Sequence, residues 1–302
     1  MRSTQQTLRR AALAVSIVLA LCELFTWQPN SPTPWLVGML LNVGLALTAA
    51  VLAAKAAQKF DAGELSRRVW WCIAFLAAAD CGVLVTFTAP KIWGNVRGLV
   101  GLTLATSLLT TFSRGIALPL ALWMMVGVYR RSDLHLKLGG ADYAAMAIVA
   151  AFGIVALAMV ENVARSQLFM DDPVLVRTLR LIGLLLLPAM MVTSVFGVMI
   201  WRYAKQMGGG LVARAWICIL LCTVFWLARF AMLGALNKFF GMQANQRPTS
   251  VEMLSFWMVA ASEFLLFAGA SFQYQACTEL PSVDESELSL LAAQFDNQQR
   301  AS

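Results

Sequence analysis

The sequence predicts an all-α protein: a polytopic integral membrane helix bundle with about eight transmembrane helices and both termini cytoplasmic. Three observations carry that expectation. Hydrophobic residues make up 60% of the chain and charged residues 13%, about half the charge of a soluble domain. The charges gather in short clusters between long apolar runs, and residues 143–160 and 181–201 hold none. Lysine and arginine are also shared unequally between alternate loops. A helix needs about 20 apolar residues to cross the hydrocarbon core of a bilayer. Soluble helices instead show one apolar stripe. A β-barrel would alternate apolar and polar positions in strands of about ten residues. The Leu, Ala and Val blocks here show no such alternation, which leaves helices.

The elements follow in order. The basic start MRSTQQTLRR precedes AALAVSIVLALCELFTW, a pattern like that of a signal peptide. No small-x-small cleavage site follows it, and the large Leu21 before Cys22 makes a poor lipoprotein signal. An uncleaved first span over about 11–27 is therefore expected. QPNSPTP comes next, and its prolines and Asn are read as a turn that does not continue a helix. Further spans are expected near 35–57, 69–89, 104–129, 141–161, 178–201, 215–236 and 251–274. The fourth lies in a weakly polar stretch, 98–129, that contains Ser113-Arg114-Gly115 and Pro119. Splitting it would leave pieces of about 15 residues, too short for a core of about 30 Å, so one kinked span is expected.

Orientation rests on the basic residues. With the N-terminus inside, 14 of the 23 Lys and Arg fall in inside segments, 7 fall outside, and Arg114 and Arg229 lie within spans. Short cytoplasmic loops carry such an excess. Basic loops facing an anionic leaflet also account for the net charge of +7 without a nucleic-acid partner. The lipid bilayer is the expected surrounding, in a plasma (inner) membrane. Trp27, Trp35 and Trp93 fall near outer span ends, and Trp70, Trp71, Trp201 and Trp216 near inner ends, as interfacial belts would place them.

Residues 1–274 thus form the bundle, and 275–302 read as an acidic cytoplasmic tail. Glu279, Asp284, Glu285, Glu287 and Asp296 stand there against Arg300. Ser282 and Glu285 have capping-box spacing, and Leu288, Leu291, Ala292 and Phe295 recur at helical spacing. A short isolated helix is marginal in water. Leu288, Leu291 and Phe295 are therefore candidate contacts, either with the protein's own loops or with a cytoplasmic protein partner.

Most site chemistry is excluded. Five of the six cysteines lie inside apolar runs and read as small buried hydrophobes, Cys218 and Cys222 among them. A single histidine, His135, argues against haem, zinc and copper centres, which usually need several ligands. The glycines at 208–210 have no Lys-Ser/Thr behind them, so they make no phosphate loop. HExxH and GxSxG are absent, and no mid-span lysine in the last helices suggests a retinal adduct. No cofactor, metal or enzymatic activity is expected.

What remains is a set of intramembrane charges. A charge at bilayer depth costs about 2.5–3.5 kcal/mol on insertion scales. Asp80, Arg114, Arg229 and Glu263 all lie within spans, while Glu23 and Glu161 lie near outer ends. Helices consecutive in sequence are usually neighbours, so the pairs expected are Asp80 with Arg114 and Arg229 with Glu263. Such pairs either fix helix packing or line a polar cavity in which a carboxylate binds a cation or proton, or an arginine an anion. Thr103, Thr106, Thr110 and Ser113 form a hydroxyl stripe beside Arg114. Pro119 is expected to free backbone carbonyls nearby. The expected function is movement of a small polar or ionic solute along a path lined by Asp80, Arg114, Arg229, Glu263, Thr106 and Thr110. The alternative is a non-enzymatic membrane subunit or sensor that meets a cytoplasmic partner through its tail.

Overall fold

The computed structural model describes residues 4–26, 32–93, 105–106, 108–110, 112–131, 136, 138–160, 173–206, 210–240 and 249–279. Among these residues there is no strand, and eight helices carry the fold. They are α1 (Thr4–Thr26), α2 (Pro32–Ala57), α3 (Leu65–Trp93), α4 (Leu118–Arg131), α5 (Gly140–Ala158), α6 (Pro173–Gln206), α7 (Gly210–Phe240) and α8 (Thr249–Glu279). A π-helical turn, Ser113–Ala117, leads into α4. Helical residues reach back from it to Ala105. Among the described residues, seven helical segments are long and apolar enough to cross a membrane, and the chain is a multi-pass membrane protein. The helix expected to be the first span, α1, is not among the seven. Only Ala11–Cys22 separates Arg9 and Arg10 from Glu23.

The helices outrun the apolar segments that predict them. α6 has 34 residues, about 51 Å at 1.5 Å per residue. That exceeds the hydrocarbon core and matches a bilayer with its headgroups, plus tilt. The QPNSPTP turn is shorter than expected, since α2 begins at Pro32 and includes Pro34. Proline suits the first turn of a helix, where its missing N–H would have had no partner.

α2 packs beside α3, α8 packs against α7 and α2, and α4 bridges α3 and α6. α1 lies outside on α2 and α8, and α5 lies outside on α6 and α7. Only 22% of the α5 span is buried, which leaves most of it to lipid. Its start is tied to the end of α6, where Arg202 Nε donates to Asp142 Oδ1 at 2.5 Å. Asp142 also accepts from the Gly139 N–H at 2.8 Å and so caps α5.

The first and last helices meet at one end of the bundle. Arg9 donates to Ser271 Oγ (2.9 Å) and to Gln275 Oε1 (2.5 Å), and Ser271 Oγ donates to Gln5 Oε1 (3.0 Å). Two of the expected interfacial tryptophans are core residues instead. Trp70 and Trp216 are buried and pack on each other with ring centroids 5.7 Å apart. Adjoining helices cover those faces, which hydropathy does not reveal. Trp71 is exposed. Trp27, and the side chains of Trp35 and Trp93, lie outside the described residues.

Candidate functional site: a charged layer between two apolar layers

The charges meet at mid-bundle. The middle residue of α3 is Ala79, next to Asp80; that of α8 is Phe264, next to Glu263; that of α7 is Phe225, next to Trp226. Arg114 comes from the π turn. Leu118 N–H there donates to Ser113 O, five residues back. Pro119 explains the turn locally, since it has no N–H and its ring would clash with the carbonyl four residues earlier in an α-helix. The expected kink is thus a widened turn, a form often found at functional positions, and Arg114 sits inside it.

Asp80 and Arg114 form the expected ion pair. Arg114 Nη2 bonds Asp80 Oδ2, and Arg114 Nε lies 3.4 Å from Asp80 Oδ1. Both residues are buried, at 3% and 4% exposure. An ion pair so removed from water needs close geometry to offset its desolvation.

The second expected pair does not form. Arg229 Nε donates to Ser255 Oγ at 2.9 Å. The register of α7 and α8 explains why. They run antiparallel, with Cys222 opposite Ser262 and Arg229 opposite Ser255. Glu263 therefore lies level with Leu221, eight residues from Arg229, or about 12 Å along the axis. Adjacency in sequence was met, but the charges stand more than two turns apart.

Glu263 is fully buried, and neither carboxyl oxygen has a hydrogen-bond partner among the described residues. It lies within electrostatic reach of both Asp80 and Arg114. Its neighbour Ser262 donates to the Cys222 carbonyl (3.2 Å), and the two side chains are also in contact, with Sγ 3.1 Å from Oγ. Trp226 links the two arginines, since the guanidinium carbons of Arg114 and Arg229 each lie 5.3 Å from its ring centroid. Asp80, Arg114 and Glu263 thus become one layer, contributed by α3, the π turn and α8, and Trp226 of α7 connects it to Arg229 about two turns away.

The hydroxyl stripe flanks this layer. Thr106 is buried and packs on α3, where a Cβ added to Gly82 would lie 3.0 Å from its Cγ2. Gly82 follows Asp80 by two residues. Thr110 Oγ1 and Ser113 Oγ are buried without hydrogen-bond partners among the described residues. Thr103 lies outside those residues, as do His135, Glu161 and the tail from 280, and with it Leu288, Leu291 and Phe295.

Apolar residues close the layer on both sides. Toward the end where α1 begins and α8 finishes lie Ile73 and Ala77 of α3, Ile219 of α7, and Leu266 and Phe267 of α8. Toward the other end lie Met39, Ala46, Leu84, Phe256 and Val259. Asn42 sits in α2 between Met39 and Ala46, buried, with its amide nitrogen lacking a partner among the described residues.

Sequence reasoning passed over Asn42 and Trp226. A search for charges alone skips an amide in an apolar run, and Trp226 reads as one more apolar residue. The spacing of Trp226 to Arg229, three residues on one helix face, is the signal that was there. No family model, curated protein or solved structure matches the chain.

Proposed function

We propose that this multi-pass protein moves a small ionic solute across the membrane, through the layer formed by Asp80, Arg114 and Glu263, with Arg229 about two turns farther along the same path. The observation that carries the proposal is Glu263: a carboxyl at the middle of a span, fully buried, with both oxygens lacking hydrogen-bond partners among the described residues. An intramembrane ionisable group is costly, and one without a partner contributes nothing to packing that an apolar residue would not. The apolar layers above and below act as the two closures, so the described conformation is the occluded one. Thr106 and Thr110 line the α4 side. Both termini face the cytoplasm, as the basic loops and the joining of α1 to α8 support.

The test is purified protein in proteoliposomes, with inward gradients of NaCl, of KCl and of protons as the probes and charge movement as the readout. Wild type is expected to respond to one of the three, and Asp80→Asn and Arg114→Gln to lose the response while still eluting as folded protein. No response to any gradient by folded wild type overturns the proposal. Burial of Asp80, Arg114 and Glu263 equally suits a non-transporting subunit or sensor, and the silent outcome is the one that function predicts.

A further inference from the structure

We propose that Glu263 is a proton-exchanging site, so that the solute class handled by the charged layer includes the proton. The inference rests on the transport function proposed above, and it concerns what Glu263 binds.

Two ligands could balance a buried carboxylate here: a metal cation or a proton. A metal cation needs several oxygens around it; calcium takes six to eight and magnesium an octahedron. Among the described residues no group of three or more His, Cys, Asp and Glu is placed to hold one. Two neighbouring groups with oxygen atoms are already engaged. Asp80 is held by Arg114 on both oxygens. The Ser262 hydroxyl, next in sequence to Glu263, is turned to Cys222. A proton needs no coordination shell, and it leaves the carboxyl neutral in a place where an isolated carboxylate is very costly.

Charge counting across the layer agrees. The titratable and charged groups within electrostatic reach of Glu263 are Asp80, Arg114, Cys222 and, on the next position of α3, Cys81. Arg229 stands about 12 Å away along the axis, level with Ser255, so with Asp80 ionised, Arg114 charged and the thiols neutral, the groups around Glu263 carry no net charge only when Glu263 holds its proton. Losing it leaves two carboxylates against one guanidinium between apolar layers. Proton release therefore belongs to a conformation in which one apolar layer has parted and water reaches Glu263. The closed form binds one more proton than the open one, so acidification favours closure. Arg114 is the group placed to follow the change. Its guanidinium has five N–H donors, and its bonds to Asp80 use two of its nitrogens.

The experiment is infrared difference spectroscopy of the full chain in lipid, titrated with pH. The readout is the carbonyl stretch of a protonated carboxyl. Wild type is expected to show this band at neutral pH and to lose it on strong alkalinisation, and Glu263→Gln to lack it. Biosynthetic labelling with 13C-glutamate should shift the band in wild type without any substitution. That keeps the test valid should Glu263→Gln fail to fold, and it separates Glu263 from Asp80. In Glu263→Asp the band should escape the glutamate label. A wild type without the band, or a band that persists in folded Glu263→Gln, overturns the inference. Its failure is distinct from that of transport. Charge movement driven by NaCl or KCl in a protein lacking the band removes the proton site and keeps the carrier. A band that titrates in a protein moving no charge keeps the proton site and removes the carrier.

Discussion

The sharpest energetic test is the Asp80–Arg114 pair. Asp80→Asn removes one charge and leaves Arg114 at 4% exposure in a bundle whose neighbouring layers are apolar. Breaking one side of a buried pair costs about 3–5 kcal/mol, because the other charge stays behind unpaired. An arginine at mid-span costs about 2.5–3.5 kcal/mol on insertion scales. Asparagine keeps one acceptor oxygen for Arg114, and Trp226 still faces the guanidinium. The expected loss is therefore about 3 kcal/mol, the low end of the first range, or roughly two powers of ten in the folded fraction. Arg114→Gln should cost a similar amount, since it strands Asp80. The double variant removes both charges and leaves two amides able to bond each other, so it should lose only about 1 kcal/mol and be more stable than either single. Exchanging the charges, Asp80→Arg with Arg114→Asp, should restore part of the loss and not all of it, because the new arginine would stand outside the π turn. The assay is unfolding in mixed micelles of mild detergent and SDS, followed by tryptophan fluorescence. Single variants within about 0.5 kcal/mol of wild type, with an additive double, would refute the coupling.

Further expectations follow from the same packing. Gly269→Ala places a Cβ 2.9 Å from Ile219 Cδ1 and 3.1 Å from the Ala215 carbonyl oxygen. The backbone oxygen cannot yield, so a loss of about 1–3 kcal/mol is expected in the same unfolding assay; a neutral result would show that α7 and α8 are free to separate there. Trp226→Ala should destabilise more than Trp226→Phe, because phenylalanine keeps a ring face for Arg114 and Arg229, each contact being worth up to about 2 kcal/mol when desolvated. Equal effects would mean the ring only fills space. Reporter fusions after residues 30, 170 and 245 should all report the non-cytoplasmic side, and a cytoplasmic signal at any of them overturns the proposed topology. Leu291→Ser combined with Phe295→Ser should lower thermal stability where the tail docks on the protein's own loops, or lower co-purification where it docks on a partner. No change in either removes the support for a tail-mediated subunit role.

The sequence alone determines that the chain is a helical membrane bundle, because burial in lipid is a demand on composition. Every spanning residue must be apolar or compensated, and that demand is written along the chain at a period longer than any turn. It places seven of its eight expected crossings within a few residues of the apolar helices described. It also singles out Asp80, Arg114, Arg229 and Glu263, since charges stand out against an apolar background. The sequence does not determine how those four combine. Hydropathy is one-dimensional and is silent on the rotation and register of each helix. Register decides that Arg229 meets Ser255 and that Glu263 stands apart, an offset of about 12 Å at 1.5 Å per residue. Rotation decides that Trp70 and Trp216 face each other in the core rather than the bilayer surface, and that Trp226 sits beside two guanidiniums. Those choices are made by side-chain fit between helices, where lipid and protein interiors are equally apolar and only shape and hydrogen bonding tell them apart.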